Sequence, residues 1–323
     1  MKLIKWGIIG CGDVTEYKSG PAYQKVNGFC LHGVMRRDIQ KAADYARRHN
    51  VPLYFNDADE LINNSEIDAV YIATPPDSHA FYALKVAASG KPCCIEKPMA
   101  PSYKECVLIE KAFLSKNLPL FVAYYRRSLP RFLKIKEWLD NGKIGNVRHI
   151  NYRYLRSASL QDKSDNYNWR TDKKIAYGGY FDDLASHALD LFVFLLGNVK
   201  KAKGMSMNQQ GLYSAMDAVV GSWIYESGVT GSGTWNFGAN EMQDKVEIIG
   251  DMGVICFSVF TEESVKLKVN DIITSVFIKN PNPIQLPHVD NIRKELLDGV
   301  AHPSSGVSGV HTSWIMESIL NNL

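Results

Sequence analysis

Two groups of side chains in this 323-residue chain have the types and spacing for chemistry at an alcohol or carbonyl oxygen. Lys97 and its neighbour Glu96 follow the short apolar run at 93–95, which puts an ammonium at the carboxyl end of a buried strand, where ligands of open sheets bind. There it can hydrogen-bond a reacting hydroxyl and stabilise the alkoxide that develops. Glu96 can orient Lys97 or steady its charge. Asp183, His187 and Asp190 stand at i, i+4 and i+7 among Leu184, Ala185, Ala188 and Leu189, so on a helix they share one face. His187, as general base in oxidation or acid in reduction near neutral pH, would contribute about 10²- to 10⁴-fold. Asp183 can hold a substrate hydroxyl or the imidazole, and Asp190 reads as a structural support. Such a stripe can also bind a metal, but no adjacent Cys or His completes a ligand set, and none is expected.

A further pattern suits a nucleotide. Gly10-Cys11-Gly12-Asp13-Val14-Thr15 follows the first strand-like run, with two glycines at dinucleotide spacing and Thr15 where a third would fall. The first glycine allows a tight turn, the second lets a pyrophosphate approach the backbone, and the helix start supplies partly positive amides, so residues 10–14 are expected at the cofactor. Losing the third glycine should affect helix packing more than phosphate contact. Arg36 and Arg37 end the second run, where an NAD-selective protein usually places a carboxylate. A guanidinium can stack on adenine and bind a 2′-phosphate, which favours NADP over NAD. Asp38 reads as the N-cap of the following helix, the alternative being that it turns to the ribose hydroxyls.

The elements that must position these residues follow from periodicity. Residues 3–9, 29–35, 69–73, 93–95 and 120–123 read as buried strands, and 38–49, 77–88 and 102–116 as helices between them, the alternation of βαβ units with a parallel sheet. After a helix at 130–141, closed by Gly142, the runs at 147–154, 222–225, 229–237, 245–249, 254–258, 265–269 and 273–278 read as consecutive strands of a broad, mostly antiparallel sheet. Helices at 181–196, 289–300 and 309–321 accompany it. The expected organisation is a nucleotide-binding domain over 1–124 and an α+β substrate and oligomerisation domain over 125–323. Few helices cover the second sheet, so its exposed face, with Val229, Trp235 and Phe237 on one side of a strand, is expected to mediate a homodimer or homotetramer.

Val70 to His79, including Thr74-Pro75-Pro76-Asp77-Ser78-His79, then Gly90-Lys91-Pro92 and Glu96-Lys97-Pro98, complete a pattern that resembles the Gfo/Idh/MocA oxidoreductases. The resemblance continues through Tyr124-Tyr125-Arg126-Arg127, Trp169-Arg170 and the segment from Gly178 to Asp190, and so covers nearly the whole chain. It implies a doubly wound Rossmann domain joined to an open-faced α/β domain, with activity on a sugar, polyol or related small alcohol or ketone. It also implies that Thr74, Pro75 and His79 lie along the cofactor, that Trp169 and Arg170 lie near the nicotinamide and substrate, and that the Lys97–Pro98 bond is often cis. Position 125 is tyrosine where the family frequently has asparagine. Tyr124, Arg127, Tyr167 and Tyr180 suit a polyol pocket, and each is equally compatible with a core or rim position.

Composition bounds the partners. With 46% hydrophobic and 22% charged residues, no bilayer-length apolar run and a net charge of +3 spread without a basic block, neither a membrane nor nucleic acid is implied. The cysteines at 11, 30, 93, 94, 106 and 256 lack disulfide or metal spacing, and Met1 to Trp6 lead straight into a strand, so a cytoplasmic protein with reduced thiols is expected. Two other functions remain open: a non-catalytic NADP-binding regulator, and a glycosidase that uses a tightly held NAD.

Overall fold

The computed structural model describes residues 3–164 and 166–320. The chain begins β1 (Ile4–Ile9), α1 (Asp13–Tyr17), α2 (Gly20–Lys25), β2 (Phe29–Met35), α3 (Ile39–His49), β3 (Leu53–Phe55), α4 (Ala58–Asn63), β4 (Ala69–Ile72), α5 (His79–Ser89), β5 (Cys93–Ile95), α6 (Tyr103–Leu114) and β6 (Leu120–Val122). It continues α7 (Pro130–Asp140), β7 (Val147–Leu155), α8 (Tyr180–Leu196), β8 (Val199–Met207), β9 (Ala218–Tyr225), β10 (Thr230–Asn236), β11 (Gln243–Gly250), β12 (Gly253–Phe257), β13 (Val265–Val269), β14 (Ile272–Val276), α9 (Leu286–Asp298) and α10 (Gly306–Leu320). Contacts divide the chain into two units: the residues up to Leu129 with Pro281–Val310, and Pro130–Asn280 with the residues from His311 on.

In the first unit, β1 to β6 form a parallel sheet in the order β3-β2-β1-β4-β5-β6. The order reverses between β1 and β4, so their outgoing loops diverge and leave a crevice at the carboxyl ends. Both faces are buried. Ile9, Ile72 and Ile95 pack with Leu61 of α4, Val86 of α5 and Ile109 of α6. Trp6, Ile8 and Tyr71 pack on the other face with Tyr23 of α2, Tyr45 of α3 and Val289 of α9. The expected break between 124 and 125 is therefore not the boundary of the contacts, because α9 returns to help cover the second face. Local chemistry starts the helices as the sequence implies: Asp38 accepts from the Gln40 and Lys41 N–H groups at the head of α3. At the head of α6, Ser102 Oγ accepts from the Glu105 N–H at 3.2 Å and donates to the Glu105 carboxylate at 2.7 Å.

Two elements of this unit lack a sequence signal. β3 is a three-residue edge strand without a fully buried side chain, and α4 is a six-residue helix, both too short for periodicity to register. The helix expected at the glycine loop is two short helices, α1 and α2, the second with proline in its first turn.

The second unit holds an eight-stranded sheet in the order β14-β13-β12-β11-β7-β10-β9-β8, antiparallel except for the β7–β10 pair. β8 escapes a hydrophobic pattern because it is an edge strand whose Lys200, Lys201 and Lys203 are exposed, and β9 begins four residues before the expected 222. One assignment is overturned. Trp235 and Phe237, expected on a face open to self-association, are buried: Phe181 of α8 stands edge-on to Trp235 with ring centroids 4.9 Å apart, and Tyr180 lies 5.5 Å from Phe237. The opposite face carries exposed Met205, Met207, Val220 and Ile224. Among the described residues no helix is long and apolar enough to cross a membrane.

Glycine permits the indole packing inside this sheet, since a Cβ on Gly231 would stand 2.1 Å from Nε1 of the buried Trp223. Gly231→Ala should therefore cost about 1–3 kcal/mol by overpacking, read as an earlier urea midpoint of tryptophan fluorescence. A midpoint equal to the parent's would show that the sheet opens there without strain.

Candidate active site

The nucleotide half of the site is built in the first unit on the turn after β1. Gly10 donates to the Met35 carbonyl at 2.9 Å with φ +91°, and a Cβ there would lie 2.7 Å from Thr74 Cγ2, so glycine is required on two counts. Gly12 differs: a Cβ there would meet nothing within 4 Å, leaving its backbone open to an approaching phosphate at the head of α1. Thr15 replaces the third glycine and is absorbed into packing. It is fully buried, its hydroxyl donates to the Gly12 carbonyl at 2.7 Å, and Tyr45 donates to its carbonyl at 2.9 Å. The Cys11 thiol is also buried and pushed up to about 11 by desolvation, and its backbone N–H donates to the Met35 carbonyl at 3.3 Å. Asp13 is exposed and Val14 half-buried on the first turn of α1.

A crevice of about 320 Å³ joins Gly10, Cys11 and Gly12 to Arg36, Arg37, Asp38, Thr74 and Pro75, bringing the glycine turn, the arginine pair and the Thr74-Pro75 turn together as expected at the cofactor. Tyr82 of α5 also lines it, and no sequence signal distinguished it from an ordinary helical aromatic. Arg36 donates to the Cys11 carbonyl at 3.2 Å, which ties the arginine pair to the glycine turn. Asp38 stays in its capping role, and the Lys41 and Gln40 N–H groups hold its carboxyl below the usual range. These features fit a dinucleotide: an open backbone turn, helix amides and guanidinium groups in one crevice at the switch point.

His79 is not in that crevice. Its ring is fully buried, with Nε2 2.8 Å from the Thr74 carbonyl and Nδ1 3.1 and 3.3 Å from the Pro98 and Met99 carbonyls. It ties the cofactor-side turn to the Lys97 turn, and burial pushes its pKa down. Lys97 stands two residues beyond β5, and the bond from it to Pro98 is cis. Glu96 is buried, accepting from Tyr71 Oη at 2.6 Å, from Gln285 Nε2 at 2.9 Å and from the Lys97 backbone N–H at 3.1 Å. Its structural contact with Lys97 is thus through the main chain. Tyr71 lies in the Val70-to-His79 segment but has no role implied there, and Gln285, outside every motif, reaches Glu96 only because the chain returns with α9. Tyr124 sits in the apolar core of this unit, and Arg127 is buried with Nη1 donating to the Pro303 carbonyl at 2.8 Å, so both have packing roles here.

The second unit carries the histidine helix. A Gly178-Gly179 pair starts α8: Gly179 has φ +64°, and a Cβ on it would stand 2.5 Å from the Met216 carbonyl. Asp183 and His187 are both buried on the helix, one turn apart. Arg170 Nε donates to Asp183 Oδ2 at 2.5 Å while its guanidinium lies 4.4 Å from the Trp169 ring, so the Trp169-Arg170 turn is brought directly to the acidic end of the stripe. Of the two partners the sequence offered Asp183, a substrate hydroxyl or the imidazole, neither anticipates this arginine. Asp190 is fully buried and accepts from Thr312 at 3.2 Å, a support as expected.

Burial and the neighbouring Asp183 and Glu317 carboxylates raise Asp182 to about 7, against its bond from the Gly178 N–H. The His187 ring stands edge-on to Phe260 at 6.0 Å. Phe260 sits in a loop whose N–H groups at 259, 260 and 261 bond the Asp244 carboxylate, while Arg131 holds carbonyls at 258, 259 and 261. Tyr180 is buried, donates to Asp162, accepts from Asn168 at 2.9 Å and carries Arg156 over its ring, whereas Tyr167 is exposed. Tyr180 thus holds the loop that carries Asp162 and Asn168. Among the described residues no group of His, Cys, Asp and Glu is placed to hold a metal ion.

Known proteins carry the same pattern. The family model described as "Oxidoreductase family, NAD-binding Rossmann fold" matches residues 4–124, and the GFO/IDH/MocA C-terminal domain matches 132–256. Oxidoreductase P35 of Formosa agariphila is 40% identical over 316 residues, 97% of each chain. The scyllo-inositol 2-dehydrogenase (NADP(+)) IolU of Bacillus subtilis is 31% identical over 160 residues, 50% of this chain and 48% of that one. A solved levoglucosan dehydrogenase, in complex with NADH and levoglucosan, superposes with a TM-score of 0.86 at 22% identity over 98% of this chain and 96% of its own, a likeness of fold. With a near full-length relative at that identity and both domains matched, the chain belongs to the Gfo/Idh/MocA family of oxidoreductases, built on an NAD-binding Rossmann fold.

Proposed function

We propose that this oxidoreductase is a dehydrogenase of sugars, polyols or related small alcohols, with NADP(H) as its preferred coenzyme. The observation that carries the reading is the pairing, in one unit, of a glycine turn open at Gly12 with a Lys97 turn held at the carboxyl end of β5. The bound coenzyme supplies the nicotinamide that accepts hydride from the alcohol carbon or returns it to the ketone. Lys97 hydrogen-bonds the reacting oxygen and stabilises negative charge on it. The His187 imidazole takes the hydroxyl proton in oxidation and gives it back in reduction. Asp183, bonded to Arg170, holds a neighbouring substrate hydroxyl. The relatives named for inositol and levoglucosan support the substrate class.

A panel of levoglucosan, inositols, aldoses, deoxyketoses and diols, scored by NAD(P)H absorbance, tests the reading. On the best substrate, Lys97→Ala and His187→Ala should each lower kcat by about 10²-fold or more while coenzyme binding by fluorescence is unchanged. Parental turnover in either variant would remove that residue from the reaction.

Coenzyme choice rests on Arg36 and Arg37 in the crevice and on Asp38 being engaged in capping. A charge-assisted phosphate contact is worth about 1.5–3 kcal/mol, or roughly one to two powers of ten in affinity. The parent should favour NADP(H) in kcat/KM by about that factor, and an Arg36→Ala, Arg37→Ala double variant should lose the preference. Equal efficiency with both coenzymes in the parent would count against it.

The bare sheet face with Met205, Met207, Val220 and Ile224 supports self-association of a cytoplasmic homo-oligomer. Light scattering should give a dimer or tetramer at micromolar concentration, and a monomer there would sink the idea.

A further inference from the structure

The turn that would act on substrate is gripped at both ends by buried side chains. Glu96 Oε1 accepts from Tyr71 at 2.6 Å and from Gln285 at 2.9 Å, and Oε2 accepts from the Lys97 N–H at 3.1 Å. Two residues on, the His79 ring meets the Pro98 and Met99 carbonyls. We infer that Gln285 and Tyr71 are positioning residues for Lys97, acting through the Glu96 carboxylate. The inference rests on the role proposed for Lys97 above.

The argument is one of leverage. Tyr71 belongs to β4, paired directly with β5, and is fully buried, so its hydroxyl is a fixed point of the sheet. Gln285 is almost fully buried, and its own N–H bonds the Lys18 carbonyl at 3.3 Å at the head of α9. Two anchored donors therefore set where the Glu96 carboxylate stands, and that carboxylate sets the orientation of the Lys97 peptide. Every donor to it is neutral or main-chain, so the interaction is directional rather than a diffuse charge pairing. A displacement of about 1 Å at a reacting group can cost about 10²-fold in rate, so a loosened Glu96 should appear in turnover before it appears in binding.

Gln285→Met keeps length and removes the donor, and Tyr71→Phe does the same for the other bond. Each should lower kcat by about 10- to 100-fold on the best alcohol of the panel, with KM and coenzyme affinity near the parent's. On a Lys97→Ala background neither should lower kcat further, because the group it orients is gone. A second reading is independent of turnover. After reductive ¹³C-methylation of the full chain, the Lys97 dimethylamino resonance, assigned by its loss in Lys97→Ala, should shift in Gln285→Met and in Tyr71→Phe. Should one variant fail to fold, the other carries the same test. An unmoved resonance, or a fall in kcat that recurs in full on the Lys97→Ala background, overturns the inference. Parental turnover of Lys97→Ala alone overturns the catalytic role instead, while the resonance still reports whether Gln285 and Tyr71 orient the side chain.

Discussion

An all-parallel sheet has two apolar faces and no way to leave either to water, and this constraint organises the first unit. The helices between successive strands supply α4, α5 and α6 on one side, and α2 with α3 on the other. The second layer is completed only when the chain returns from its far end with α9 and packs Val289 and Ile292 there. That return delivers Gln285 to Glu96 and His302 to the ring of Phe121. The demand for burial thus also brings the last part of the chain to the base of the Lys97 turn. The same sheet order opens the crevice at the carboxyl ends of β1 and β4, where the glycine turn lies.

The second sheet meets the opposite condition. It is mostly antiparallel, tolerates one wet face and is covered on the other by α8. The covering is close because Gly231 and Gly233 leave room for Trp223 and Trp235. With its apolar side seated on those rings, α8 holds Asp183 and His187 as a rigid pair. Sites built on helices are held more precisely than sites on loops, and the loop residues that join this one are themselves fastened. Arg170 is stacked on Trp169 and bonded to Asp183, and Phe260 is fixed by Asp244 and Arg131.

Several polar residues that suggest binding also hold the fold. Asp38 caps α3, His79 joins two turns, Tyr180 anchors a loop through Asp162 and Asn168, and Arg127 reaches the Pro303 carbonyl. For the buried His79, Tyr180 and Arg127, a polar group left without such a partner would cost about 1–3 kcal/mol. Arg36 and Arg37 are exposed in the crevice, Arg36 tied to the Cys11 carbonyl, and the coenzyme argument falls on them.

The local pattern alone determined the glycine turn, the caps at Asp38 and Ser102, the alternation that makes the first sheet parallel, and the shared face of Asp183, His187 and Asp190. Each depends on residues a few positions apart, so periodicity and residue type suffice. β3 was illegible because it is three residues without a fully buried side chain, and β8 because the exposed Lys200, Lys201 and Lys203 break any apolar alternation. Tertiary structure decided which sheet face is covered, so that Trp235 and Phe237 became core, and which unit receives residues 281–310. It also decided the partners of the chemical groups: Arg170 for Asp183, Phe260 for His187, Tyr71 and Gln285 for Glu96. Those contacts join residues from 13 to 189 positions apart, and such pairings are set by how elements pack rather than by any repeat along the chain.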